Sequence, residues 1–589
     1  MKRGLRLIIT AMLIVVFSTL GATQALACTA FYVGPKASAD GTTIIAKSND
    51  FQHVWANHLE ITERVEDEEG RTMPVDLKGT VQAEIPATTY RYTSTPIDDS
   101  VQNANLYDGK DAAICANEYG VVMIMSITAF SNRAAIAADP LAKKGLCEFT
   151  AVDLVTCQSK TAKEGVQNLF KLIDKYGSSE VNIAFIADQK EVWYVEMYSG
   201  HQYAAVKLPD DKVCAFGNEF LLEYLSDYED SITSKQLESL AKEKDFAVYG
   251  DNNELNLLKT YSGESTLTEY SHRRTWMGHK LLNEKQYEKY NKEDTYPLCF
   301  NADKKVSLQD VMGFMRNRFE GTEFNPDKTG RTDIRVIGTE IAINAHIAQI
   351  YPNYSADMSC VTWASCGPAI YGTFVPFSNA ATSVSESYGR SQGPKDYGKF
   401  EVDKYPYYRF KALTTLCYEK NNIKTYGTPV RNYWKQAEEG MTKCMPAVLD
   451  TADGIGGKED AHQYITNYCN AMQEQAFIDS GVLLNDVMWY MSENSNSMKN
   501  GKNPETHEVM DELKKIKPMK VSLNPEVYSK VPEIGEGEDE EQTDSSLEKR
   551  KLMIIIAVVI AGLSLIIAII LIAYLRKTRA PKYDYEDEE

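Results

Sequence analysis

The chain is poor in histidine, with eight in 589 residues, and no two of them stand at a metal-ligand spacing. It has no His-Glu-x-x-His pair, no P-loop and no Gly-x-Ser-x-Gly elbow. Metal-assisted hydrolysis and dinucleotide chemistry therefore have no support, and no cofactor is expected. Cys360 and Cys366 make a poor zinc pair and read as buried or disulfide-linked residues. Positive charge is also in deficit: 63 Lys and Arg face 83 Asp and Glu, for a net charge of −20. That balance argues against nucleic acid or anionic lipid as a partner of the main domain. No internal repeat is visible, and one acidic stretch near the C-terminus is the only biased segment.

What is present begins at the two ends. Met1 to Arg6 is basic, Leu7 to Leu20 is apolar, and Ala25-Leu26-Ala27 supplies the small residues a signal peptidase needs. Residues 1–27 read as a removed export signal, because the apolar run is shorter than the ~20 residues of a membrane span. Leu552 to Leu575 is almost wholly apolar and long enough to cross ~30 Å of hydrocarbon. It is expected to be a single transmembrane helix, with residues 576–589 as a cytoplasmic tail and the ectodomain extracytoplasmic. Basic residues flank both sides of that helix, so the cleavable signal, not the positive-inside bias, sets this orientation. Residues 532–551 are acidic with few large apolar side chains, the composition of a solvated stalk.

Between these ends, residues 28–531 read as one ectodomain. "CTAFYVG" and "TTIIAKS" alternate as strands around a turn at Ala39-Asp40-Gly41. A second hairpin is expected at 111–130, turning at Asn117 to Gly120, and a third at 181–200, turning near Asp188 to Lys190. Thr161 to Tyr176 has a Thr-x-x-Glu start, an apolar face of Val166, Leu169, Phe170 and Ile173, and Gly177 after its end. Ser307 to Arg318 also looks helical, Val336 to Ile350 looks like strand, and about 420–520 reads as a mainly helical extension. Antiparallel hairpins with interposed amphipathic helices point to an α+β layered fold and not to a parallel doubly wound one.

Eleven cysteines leave at least one unpaired. If Cys28 is reserved for chemistry, ten remain; their even number is compatible with pairing, but their spacings give no framework. Cleavage after Ala27 would put a free α-amine on Cys28 beside its own thiol. An α-amine titrates near ~7.7–8.0 and a thiol near ~8.5, so the amine can take the thiol proton near neutral pH. One residue would then supply both nucleophile and base.

The opening "CTAFYVGPKASADGTTIIAKSND" resembles the start of the dipeptidase A family of N-terminal nucleophile (Ntn) hydrolases, relatives of penicillin V acylases and bile salt hydrolases. Matches follow in order: "NEYGV" from Asn117, "GNEF" from Gly217, "RRTW" from Arg273 and "SCVTWASCGPAIYGTFVP" from Ser359. The resemblance covers 28 to about 490. It implies an αββα sandwich of two antiparallel sheets between helical layers. It also implies Cys28 as nucleophile, Asp50 as the carboxylate holding the amine, and Lys47 near the sulfur where the family usually has Arg. Asn117 and Asn218 resemble the two asparagines around the oxyanion, and Arg274, or else Arg273, the arginine of the polar network. Trp363 and His346 read instead as a core tryptophan and a satisfied histidine.

A cysteine dipeptidase acting on short peptides is the leading expectation. An acylase acting on N-acyl amino acids or bile-salt-like amides is the alternative on the same fold. A non-enzymatic surface module lipidated at Cys28 is a third reading, although a lipobox would want Leu where Ala25 stands. A homo-oligomer is left open.

Overall fold

The computed structural model describes residues 28–51, 54–99, 112–125, 127–263, 268–331, 333–393, 395–396, 398–418, 422–494 and 517–532. The expected export signal, the transmembrane segment 552–575, the tail and all of the stalk beyond Pro532 lie outside them. Among the described residues no helix is long and apolar enough to cross a membrane. The chain divides into two units, Met1–Val531 and Pro532–Glu589, and the fold below is that of the first.

The strands run in chain order as β1 (Ala30–Val33), β2 (Thr43–Asp50), β3 (Glu60–Thr62), β4 (Thr72–Pro74), β5 (Gln82–Glu84) and β6 (Tyr92–Ser94). β7 (Ile114–Asn117), β8 (Val122–Ile124), β9 (Asn182–Ala187), β10 (Val192–Met197), β11 (Tyr203–Lys207) and β12 (Val213–Phe216) follow. β13 (Ser231–Thr233), β14 (Ala342–Ile350), β15 (Cys360–Ser365) and β16 (Val375–Ser378) complete them. One sheet has the order β12-β1-β2-β14-β15-β16, the other β13-β11-β10-β9-β8-β7-β6-β3, and β4 pairs with β5 alone. The three expected hairpins are β1–β2, β7–β8 and β9–β10, each antiparallel.

Side-chain alternation explains why both large sheets are buried on two faces. Ala30, Tyr32 and Ile45 of the first sheet share a core with Ile183, Phe185, Val192 and Tyr194 of the second. The intervening residues turn the other way. Phe31, Val33, Ile44 and Ala46 pack under one helical layer, and Ala184, Ile186, Trp193 and Val195 under another. The layer on the second sheet is α1 (Glu148–Thr156) and α2 (Ala162–Tyr176); that on the first includes α3 (Thr268–Leu282), α4 (Leu308–Met315), α5 (Pro406–Cys417), α6 (Thr428–Asp453) and α7 (Lys458–Glu493). The result is the expected α+β sandwich, helices–sheet–sheet–helices.

Local signals read from sequence act with one amendment. Thr161 caps α2 by accepting the Glu164 N–H at 3.1 Å, but the Glu164 carboxylate takes the N–H of Lys160, not that of Thr161, at 2.7 Å. Only half of a capping box is therefore formed. In α4 the box is complete, between Ser307 and Asp310. Two glycines are needed where they stand. Gly120 holds φ +74° in the β7–β8 turn, and at Gly278 a Cβ would lie 2.4 Å from that of Ala215, so α3 approaches β12 closely.

Candidate active site

The β1–β2 register places Ala30 opposite Lys47. The pairing continues backwards: the Ser48 N–H donates to the Thr29 carbonyl at 2.9 Å, and the Thr29 N–H to Ser48 Oγ at 3.2 Å. Cys28 is thereby laid beside Asn49, and its Sγ donates to Asn49 Oδ1 at 3.4 Å. Cys28 is fully buried. Burial pushes its thiol up to about 12; Lys47 and the Asp50 backbone N–H work in the opposite direction, Asp50 and Glu148 in the same one. Burial of this kind disfavours the thiolate.

Lys47 is fully buried on the face that looks toward the second sheet, and its Nζ donates to the Met125 carbonyl at 2.5 Å. His346 stands directly across from it on β14. Burial and the Lys47 charge push that imidazole down to about 3, so it is neutral. Its Nε2 pairs with Thr95 Oγ1 at 2.9 Å, but its Nδ1 has no hydrogen bond among the described residues. The expectation of a satisfied core histidine is corrected: His346 is half-satisfied and borders Lys47. Trp363 does sit in the core, its indole N–H donating to Gln349 Oε1 at 3.1 Å.

Asp50 faces two guanidinium groups. Arg335 Nη2 pairs with its Oδ2 at 3.2 Å, while Oδ1 is buried without a hydrogen bond among the described residues. Burial outweighs Arg335 and Arg274 and pushes the carboxyl up to about 6. Arg274, projecting from α3, is fully buried and spreads its donors over the Cys28 carbonyl, Thr29 Oγ1 at 2.9 Å, Asn218 Oδ1 at 2.8 Å and the Tyr270 carbonyl at 2.9 Å. Burial and the neighbouring Arg335 lower it to about 10. Arg273 turns away to Glu269 and the Phe324 ring. The sequence left two arginines open; the structure puts Arg274 in the cluster.

Asn218 follows the end of β12 and is held from both sides, its Oδ1 accepting from Arg274 and its Nδ2 donating to the Thr128 carbonyl at 2.6 Å. Beside it lies a cavity of about 140 Å³ lined by Phe130, Asn218, Glu219, Ser271, His272 and Tyr296 among others. His272 Nδ1 lies 3.2 Å from Glu219 Oε2; burial opposes its charge, but the Glu219 bond prevails and raises the imidazole.

Asn117 is a correction: the structure does not bring it to this cluster. β7 pairs Ile114 with Ile124, so the beginning of β7 lies beside the end of β8 that leads to Met125 and Thr128, and Asn117 lies at the far end. Its Nδ2 donates to the Thr156 and Ser159 carbonyls at 2.8 and 2.7 Å, and its Oδ1 accepts the N–H groups of Tyr119 and Val121. All four hydrogen-bonding positions are spent on the turn and the end of α1.

Sequence reasoning missed Arg335, Asn49, Thr95 and Asn344. Asn344 is opposite Asn49 beside an irregularity in β14, fully buried, with neither amide atom hydrogen-bonded among the described residues. Asn49 lay inside the quoted "KSND". Arg335 and Asn344 had no local signal: the β2–β14 pairing brings in Asn344, and Arg335 comes from the segment before β14.

This geometry can be set beside known proteins. The class is a peptide hydrolase. Residues 27–436 match the family described as Peptidase family C69, and the chain belongs to that family. It is 30% identical over 378 residues to a "Probable dipeptidase B" of Streptococcus pyogenes serotype M1, covering 62% of this chain and 74% of the relative. It is 29% identical over 462 residues to a "Probable dipeptidase B" of Lactococcus lactis subsp. lactis, covering 76% and 92%. A solved penicillin V acylase from Agrobacterium tumefaciens aligns over 60% of this chain and 86% of that one, at 10% identity and a TM-score of 0.28.

Proposed function

We propose that the protein is a membrane-tethered, extracytoplasmic dipeptidase in which Cys28, freed by cleavage after Ala27, is the nucleophile and its α-amine the base. The observation that carries this reading is the surroundings of Cys28. Its carbonyl is gripped by Arg274, its sulfur donates to Asn49 Oδ1 and feels the Lys47 charge, and the buried Asp50 Oδ1 has no hydrogen bond among the described residues. The family match beginning at residue 27 and the dipeptidase names of the relatives support it further.

In the processed chain the amine accepts the thiol proton and the thiolate attacks the scissile carbonyl carbon. Asp50, ionised, holds the ammonium that results. Lys47 stabilises the thiolate, and the Asn218 amide, oriented by Arg274, donates to the tetrahedral oxyanion, a contribution of ~2.7–4 kcal/mol for a well-placed donor. The ammonium returns its proton to the departing amine, leaving a thioester. Water, deprotonated by the same amine, then hydrolyses the thioester and restores Cys28. The cavity beside Asn218 has room for a small substrate side chain. The apolar segment 552–575 anchors the enzyme, with the acidic stretch as spacer.

Dipeptide hydrolysis by Cys28→Ala and Cys28→Ser tests the nucleophile. Cys28→Ala is expected to be inactive and Cys28→Ser to be slowed by orders of magnitude, with unchanged melting curves. Full turnover by Cys28→Ala ends the proposal, and turnover of acyl amides without dipeptides would move the enzyme to the acylase class.

A further inference from the structure

We propose that Cys214 and Cys299 form an intramolecular disulfide that clamps the open edge of the first sheet. β12 is the edge strand, and the segment around Phe300 covers its free side. Val213 and Phe300 exchange both backbone hydrogen bonds, each 3.1 Å long, in an antiparallel bridge. They are a hydrogen-bonded pair, so the next pair, Cys214 and Cys299, is of the non-hydrogen-bonded kind. In such pairs the Cα atoms stand ~4.5 Å apart and the side chains are closest, within the ~4.4–6.8 Å a disulfide spans. The two sulfurs are 3.2 Å apart. Cys214 is fully buried and Cys299 partly exposed, so a reagent reaches the pair through Cys299.

The bond would tie together the ends of one segment that supplies two side chains of the site. From Cys214 the chain runs through Gly217 to Asn218, then through α3, which presses on β12 at Gly278 and carries Arg274, and returns at Cys299. A clamp there holds Asn218 and Arg274 without touching substrate.

The chemistry needs a two-electron oxidant, and a small-molecule or protein disulfide supplies it. The Cys299 thiolate attacks the oxidant's disulfide, forming a mixed disulfide and releasing one thiolate. The Cys214 thiolate then attacks the Cys299 sulfur and expels the second. Two protons and two electrons leave the protein, and the oxidant ends as two thiols.

The test is a non-reducing peptide map of the full-length protein after treatment with oxidised glutathione and alkylation of remaining thiols. A peptide linked through Cys214 and Cys299, and the loss of two hydrogens, are expected. The link should vanish in Cys214→Ser and in Cys299→Ser. Oxidised wild type should melt about 5 °C above the dithiothreitol-reduced form, a difference absent in Cys299→Ser. Both thiols alkylated after oxidation, or Cys214 linked to another cysteine, overturns the proposal. If either variant fails to fold, the wild-type map alone decides.

Discussion

Replacing Arg335 with Met should convert the active site into one that works only at higher pH. In the proposed mechanism Asp50 is ionised when it holds the Cys28 ammonium; burial lifts its carboxyl to about 6, and Arg335 is the largest influence pulling it down. Two unit charges ~4 Å apart interact by ~4 kcal/mol at an effective dielectric of ~20, and one pKa unit is ~1.4 kcal/mol. Loss of Arg335 thus raises Asp50 by about 1–3 units, the range found for an Asp beside an Arg. Arg274 remains, and with Arg335 gone it is relieved of that repulsion, so a rise of about two units is the working figure. Moving Asp50 from about 6 to about 8 would cut its ionised fraction at pH 7 from about 0.9 to about 0.1. The measurement is kcat/KM against pH for Arg335→Met and wild type. The acid limb should move up by about two units, with a tenfold loss at pH 7 that recovers near pH 9. Stability has its own sign. A carboxyl raised from 3.8 to about 6 favours the fold below pH 3.8 and loses that contribution as pH rises through 6. Arg335→Met extends this loss upward, so its melting temperature should fall more at pH 8 than at pH 5. An equal loss of activity at every pH, or an unmoved limb, would refute the reasoning.

Other outcomes follow from the same contacts. Asn117→Ala should cost about 2 kcal/mol or more in denaturant unfolding, because it strands the Thr156 and Ser159 carbonyls, while kcat/KM per folded molecule stays at the wild-type value. Arg274→Ala should lower kcat/KM about 100-fold, the equivalent of ~2.7 kcal/mol, whereas Arg273→Ala, losing its partly exposed pair with Glu269 and its contact with the Phe324 ring, should change little in the same steady-state assay. Lys47→Met removes the charge that opposes the upward push on the Cys28 thiol, so the pH of half-maximal iodoacetamide labelling of the processed enzyme should rise.

The hairpins and helices were legible because their signals are local. Alternation marks β1 and β2, and Thr161 and Ser307 mark helix starts whatever lies across the fold. The site was half legible for the same reason. Cys28, Lys47 and Asp50 lie on one hairpin, whose turn and alternation are visible in the sequence and set the register that brings them together. Arg335 lies 285 residues from Asp50, in the segment that leads into β14, and nothing in either segment announces the contact. Asn117 was misread because an asparagine that donates to an oxyanion and one that closes a turn look alike in sequence. The register of β7 on β8, not the residue type, separates them. Cys214 and Cys299 were equally invisible as a pair, being 85 residues apart and joined by one bridge at a sheet edge.

The central claim is that processing creates the base. It is tested most directly by the N-terminal residue of the active fraction, read by Edman sequencing alongside dipeptide turnover of the same fraction. Activity should appear only in molecules that begin at Cys28 with an unblocked amine, and chains still carrying residues before it should be inert. Turnover by a chain that begins anywhere else, or by one whose Cys28 amine is blocked, would contradict it.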